Sequence, residues 1–230
     1  MSDRVSLTGD IDPDGKAKDE RELSLAELLG ISLEEQYLDL ISRLERDNPQ
    51  DPGDTFWEPW LAALLALLVL SLRETAETGA EAAMLRLGVG VDWDEVLSEA
   101  SNWAGTYSFS LVRDIVAKDQ AALQEKLQQY FNGQLDFDGL VKSLESRFGP
   151  VRATNIAITE TARGWDRGLD IYEDALNRQG ILTDRLWFTL DDGGVCNVCR
   201  PNHLRLRSQG WTTSYPAHPR ERCWTAIVIL

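Results

Sequence analysis

Histidine and cysteine are scarce in this chain: two histidines and three cysteines among 230 residues. With so few, a disulfide framework of the kind that staples small secreted domains is excluded. The H-E-x-x-H zinc-protease motif is absent. So is the deaminase pattern, because neither histidine is followed by x-Glu and Val195 rather than proline precedes the C-x-x-C. There is no P-loop and no G-x-S-x-G. The serines of "GTYSFSL" have no matching histidine arrangement, so no catalytic site is expected. Net positive charge is also lacking. The chain carries −15, which argues against a general nucleic-acid coat because phosphate repels it at long range. The opening "MSDRVSLTGDIDPDGKAKDE" has no apolar core of a secretory signal, so the thiols are expected to stay reduced. The longest apolar run, "WLAALLALLVLSL" at 60–72, is too short to span a bilayer as a helix. It reads as a buried helix or a partner contact, with Trp57 and Trp60 as candidate anchors and no membrane role.

The charge is uneven. Residues 1–150 hold 29 acidic and 13 basic side chains, a net of −16, while 151–230 hold 9 and 10, a net of +1. Every basic residue of the second part is arginine, the side chain suited to fixed bidentate contacts.

Residues 1–20 read as a charged, flexible arm. "SLAE" at 24–27 and "SLEE" at 32–35 fit capping boxes, and Leu33, Tyr37, Leu40, Ile41 and Leu44 then give one apolar face. "DNPQDPGD" at 47–54 is a linker. A helix is expected from about Trp57 to Thr78, and another over 94–131 with Gly105 as a place for it to break. A short helix should follow, capped by Asp136 or Asp138, and then a long one from Pro150 to Gly180. Beyond Gly180 the texture becomes aromatic and β-branched: "RLWFTL" at 185–190 and "CWTAIVIL" at 223–230 read as strands. The expected architecture is α+β: an arm (1–20), a helical body (21–149), and a C-terminal domain (150–230). That domain joins the long helix 150–179 to a small β-rich module at 181–230.

All three cysteines and both histidines fall in that module. Cys196, Cys199, His218 and Cys223 are spaced C-x2-C-x18-H-x4-C, a donor set suited to tetrahedral zinc. A module of about 50 residues has difficulty stabilising itself by apolar burial alone. Structural zinc supplies on the order of 10 kcal/mol or more to such units. Four protein ligands leave no open position, so the zinc is expected to be structural. His203 ranks below His218 as a ligand. The competing reading is three reduced thiols packed as small hydrophobes.

On the long helix, Arg152, Ile156, Thr159, Arg163 and Arg167 follow one side, with Glu160 beside them. They read as a network that docks the β tail or a partner, or as a solvated ion-pair face. Arg200, Arg205, Arg207, Arg220 and Arg222 surround the cysteines near Trp211 and Trp224. They are candidates for a nucleic-acid or partner contact, or for salt bridges to the acidic body.

Three blocks in order carry a resemblance: "ATNIAITET…RG", "LWFTLDDGGVCNVC" and "YPAHPRERC". Together they resemble the phage head morphogenesis proteins of the Mu F-like minor head protein family. Those proteins show an I-A-R-T-E-type helix end, then W-x-T/S-x-x-D…V-C-x-x-C, then P-x-H-P-x-C-R-C. The matching residues are Ile156, Ala157, Thr159 and Glu160; then Trp187, Thr189, Asp191 or Asp192, Cys196 and Cys199; then Pro216, His218, Pro219, Arg222 and Cys223. The likeness covers roughly 95–230 and is strongest over 150–225. Two positions depart from it: Ile158 stands where the family has Arg, and Glu221 where it has the first of two late cysteines.

The resemblance implies a minor capsid protein of a tailed phage, made in the host cytoplasm and incorporated in the virion head. It would act in procapsid assembly beside the portal protein and other head proteins, and could contact packaged DNA. It also places Trp187 and Asp191 with Arg152, Thr159, Glu160 and Arg163 in a structural network. The alternative function is a DNA-binding zinc module that assists genome packaging or ejection.

Overall fold

A computed structural model describes residues 15–189 and 195–230. Five helices precede a two-stranded sheet: α1 (Gly15–Arg43), α2 (Asp54–Leu87), α3 (Trp93–Phe131), α4 (Phe137–Phe148), α5 (Pro150–Arg178), β1 (Thr183–Phe188) and β2 (Trp224–Ile229). The strands pair antiparallel, from Thr183 opposite Ile229 to Phe188 opposite Trp224. The α+β expectation holds at this level.

Local signals set most boundaries. Asp92 caps α3 by accepting the Asp94 amide, and Asp136 caps α4 by accepting that of Gly139. Gly88 closes α2 in the left-handed conformation, at φ 68°. Pro150 opens α5, where its missing N–H has no cost.

Several expectations are corrected. The helix α1 already includes residues 15–20, which were expected in the flexible arm; the remainder of that expected arm, residues 1–14, lies outside the described residues. Ser24 and Ser32 sit inside α1 and cap nothing. A continuous stripe of Leu25, Leu29, Leu33 and Leu40 carries the helix through both, because burial of that face outweighs the local capping preference. The helix α3 runs through Gly105 unbroken. Burial also extends α2 well beyond 57–78. Its 34 residues make it long and apolar enough, by length and composition alone, to cross a membrane, and only 28% of its most apolar window is buried. On its inner side Phe56, Trp57, Leu64, Leu68 and Leu72 enter the core.

Small residues at one crossing bring α2 and α5 together. Gly79 faces the backbone of Trp165, and Gly168 lies against the Ala76 carbonyl. A Cβ on Gly79 would sit 2.7 Å from the Trp165 oxygen. Tyr172, on the same helix, reaches the Val89 carbonyl at 2.7 Å and joins α5 to the α2–α3 turn.

The sheet lies at the end of α5. Its attachment centres on Arg185, in the middle of β1 and 1% exposed. Its guanidinium reaches Asp166 (3.0 Å), Asp170 (2.6 Å) and Glu173 (3.0 Å), one face of α5 at helical spacing, and also Thr225 of β2 (2.8 Å). Arg207 adds a second cation to Glu173 at 2.8 Å. Trp187 of β1 forms a separate small core with Cys199 and Cys223, with Trp211 and Tyr215 edge-on to Trp187.

Candidate metal centre

The C-x2-C pair forms a tight knuckle. After Cys196 the chain turns, so that the Cys199 amide donates to the Cys196 sulfur (3.4 Å) and the Arg200 amide to the Cys196 carbonyl (3.0 Å). The turn Arg200–Asn202 follows. Buried Asn202 accepts the Thr212 amide and ties the knuckle to the returning loop.

That loop brings His218 to the knuckle. Its Nε2 is 3.2 Å from the Cys196 sulfur and 3.4 Å from that of Cys199. Its Nδ1 lies 3.0 Å from the Pro219 carbonyl, the second contact that fixes a ligating imidazole with Nε2 free for metal. Glu221 approaches Cys199 from the other side, Oε1 to sulfur 3.1 Å. Ligand atoms of Cys196, Cys199 and His218 lie within 4.8 Å of one another; so do those of Cys199, Glu221 and Cys223. No disulfide joins the three cysteines. The five side chains form a cluster compatible with a metal site.

The protonation chemistry of the cluster's own side chains divides it. Burial pushes the Cys196 thiol up, but the amides of Cys199 and Val198 and the neighbouring thiol outweigh it, leaving it near 7, well below an ordinary cysteine. Burial, then the Glu221 carboxylate, push Cys199 far up; the same pair raises Cys223 to about 11. The hydrogen bond to the Pro219 carbonyl leads the upward shift of His218. A divalent cation reverses this logic, since it favours thiolate and neutral imidazole.

His203 lies outside the cluster: its Nδ1 accepts the Thr189 amide at 3.1 Å. The network residues of α5 go in different directions. Arg152 pairs with Asp119 of α3 at 2.7 Å. Glu160 accepts from the Tyr107 hydroxyl (2.7 Å) and from Arg163 (2.8 Å), a triangle that joins α5 to α3. Among the described residues, the hydrogen bond from this helix set to the tail is at Thr159, which accepts the Arg220 amide at 3.3 Å. Trp187 is fully buried in the module core, and Asp191 falls outside the described residues. The tail is held instead by Arg185 with Asp166, Asp170 and Glu173, which were not singled out. The pattern D-x3-D-x2-E on one helix, followed by an arginine in an apolar strand, was the available signal.

The loop arginines differ in their surroundings. Arg207 is engaged by Glu173, Arg205 donates to the Gln209 carbonyl, and Arg200 to that of Val195. Arg220 and Arg222 line an open cavity whose other wall, from α1, carries Lys16 and Lys18 beside Asp19, Glu20 and Glu22.

Fold and site together define a helical body bearing a small C-terminal module with a thiol-rich cluster suited to a metal ion. No family model matches the chain, and neither does any curated protein or solved structure.

Proposed function

We propose that this is a structural minor head protein of a tailed phage, acting beside the portal during procapsid assembly, and that its C-terminal module holds one structural zinc ion. The reading is supported by where the three motif blocks meet. Trp187 of the second block packs on Cys199 and on Cys223 of the third, while the Arg220 amide of the third donates to Thr159 of the first. Blocks some 60 residues apart thus converge on one small unit, as expected if the resemblance reflects a common module.

The donor set favours zinc: soft sulfur and imidazole ligands in a closed, part-buried cluster. Bound there, zinc would hold knuckle and returning loop together, a contribution this small core lacks otherwise. The apolar outer stripe of α2, with Pro59, Ala62, Ala63, Ala66 and Leu70 exposed and no charge between Glu58 and Arg73, suits a protein partner in a larger assembly.

Co-expression with the phage's portal protein tests the reading. Recovery of a portal complex containing this chain, with about one zinc per chain by metal analysis, is the expected result. A chain that never associates with portal or procapsids would refute it.

A further inference from the structure

Five donors lie in two overlapping triads, and tetrahedral zinc takes four ligands. Cys196, Cys199 and His218 make one close triad, and Cys199 is its only member that also belongs to the triad with Glu221 and Cys223. The fourth ligand is therefore Glu221 or Cys223.

Glu221 is 2% exposed. Its Oε2 accepts the Ala217 amide, and its Oε1 faces the Cys199 sulfur. Other buried carboxylates have better partners. Asp119 is paired with Arg147 and Arg152, Glu160 with Arg163, and Glu173 with Arg185 and Arg207. Asp184 accepts two backbone amides and a hydroxyl. Among the described residues, no lysine or arginine forms an ion pair with Glu221. A buried carboxylate held by one amide and one thiol has no lysine or arginine to offset its burial, and the electrostatic partner it does have is His218, itself in the ligand set. Cys223 carries no such deficit. As a neutral thiol it packs against Trp187 as a small hydrophobe.

We propose that Glu221 Oε1 is the fourth ligand. It completes Cys196, Cys199 and His218 into a site of two sulfurs, one nitrogen and one oxygen, with Cys223 as a thiol beneath it. The Ala217 amide orients the carboxylate from the side away from the ion. The assignment rests on the zinc reading above.

Zinc-edge X-ray absorption of the zinc-loaded full chain should give two sulfur and two nitrogen or oxygen scatterers; three sulfurs would overturn the assignment. Competition against a chromophoric chelator should show Glu221→Gln weakening zinc by at least about 100-fold, since even outer-shell partners cost 10–100-fold. Cys223→Ala should leave affinity within a few-fold, and the reverse ranking would overturn the assignment. Should a variant not fold, the wild-type spectrum decides alone. A folded wild-type chain that takes up no zinc removes the metal reading itself, and this inference with it. Zinc bound through three sulfurs removes only this inference.

Discussion

Arg185 donates through Nε to Glu173 at 3.0 Å, and both side chains are withdrawn from solvent, at 1% and 3% exposed. One residue belongs to the first strand and the other to the helix before it. This contact, with Asp166 and Asp170 beside it, fixes the sheet on the helical body. Removing the arginine would leave three carboxylates facing one another without their shared cation. Arg185→Leu is expected to cost about 3–5 kcal/mol. Chemical denaturation should show it, and wild-type stability in that variant would refute the docking role.

Asp166 gives the same junction a pH dependence. Burial, only partly offset by Arg185, raises its carboxyl from 3.8 to about 6. The folded chain therefore holds this proton more tightly than the unfolded chain. The resulting stabilisation is full below about pH 4 and is lost as pH rises through 6. Asp166→Asn mimics the protonated form. From pH 4 to pH 7 the variant should gain on wild type by up to about 3 kcal/mol. Melting curves across that range test it, and a pH-independent difference would count against it.

The α2–α5 crossing admits no added carbon at Gly168, where a Cβ would land on the Ala76 carbonyl. Gly168→Ala should destabilise by about 1–3 kcal/mol or more. Gly105, inside α3 with nothing within 4 Å, should show the opposite sign. Gly105→Ala is expected to add about 0.5–1 kcal/mol, because alanine loses less entropy in a helix. Equal effects from the two variants would mean that the close approach is not what sets the cost.

Withdrawing the metal should affect one end of the molecule. Chelation of the zinc-loaded chain is expected to expose the loop arginines Arg200, Arg205 and Arg207 to trypsin while helical circular dichroism stays nearly unchanged. The body has its own cores, built from α1 to α5, with Ile227 of β2 joining the second. Loss of helix in step with the metal would show instead that body and module unfold together.

The starts of α4 and α5 are legible because caps are local: Asp136 and Pro150 act through their own backbone neighbours, whereas the end of α2 at Gly88 lies well past the expected stop near Thr78. The Ser24 and Ser32 signals misled for the same reason. They are also local, and the leucine stripe of α1 overrode them. The cysteine spacing points to Cys196, Cys199, His218 and Cys223, which the fold places in one cluster of two overlapping triads. Glu221 was read only as a position where a cysteine was missing, since burial without a cation cannot be seen in a string of residues. The Glu160 face reads from sequence as a network for the β tail or a partner, or as a solvated ion-pair face, but a helix face does not say which neighbour it meets, and α3 supplies Tyr107.

The sequence by itself determined what is encoded over a few residues: helix and strand identity, the turn at the C-x2-C knuckle, and the polarity of each face. Tertiary structure decided what depends on distance. It chose which carboxylates surround Arg185, which helices touch through glycine, and which acid is buried beside the thiols. Such pairings are set by packing between segments far apart in the chain, and the cost of an unpaired buried charge becomes visible only once water has been excluded.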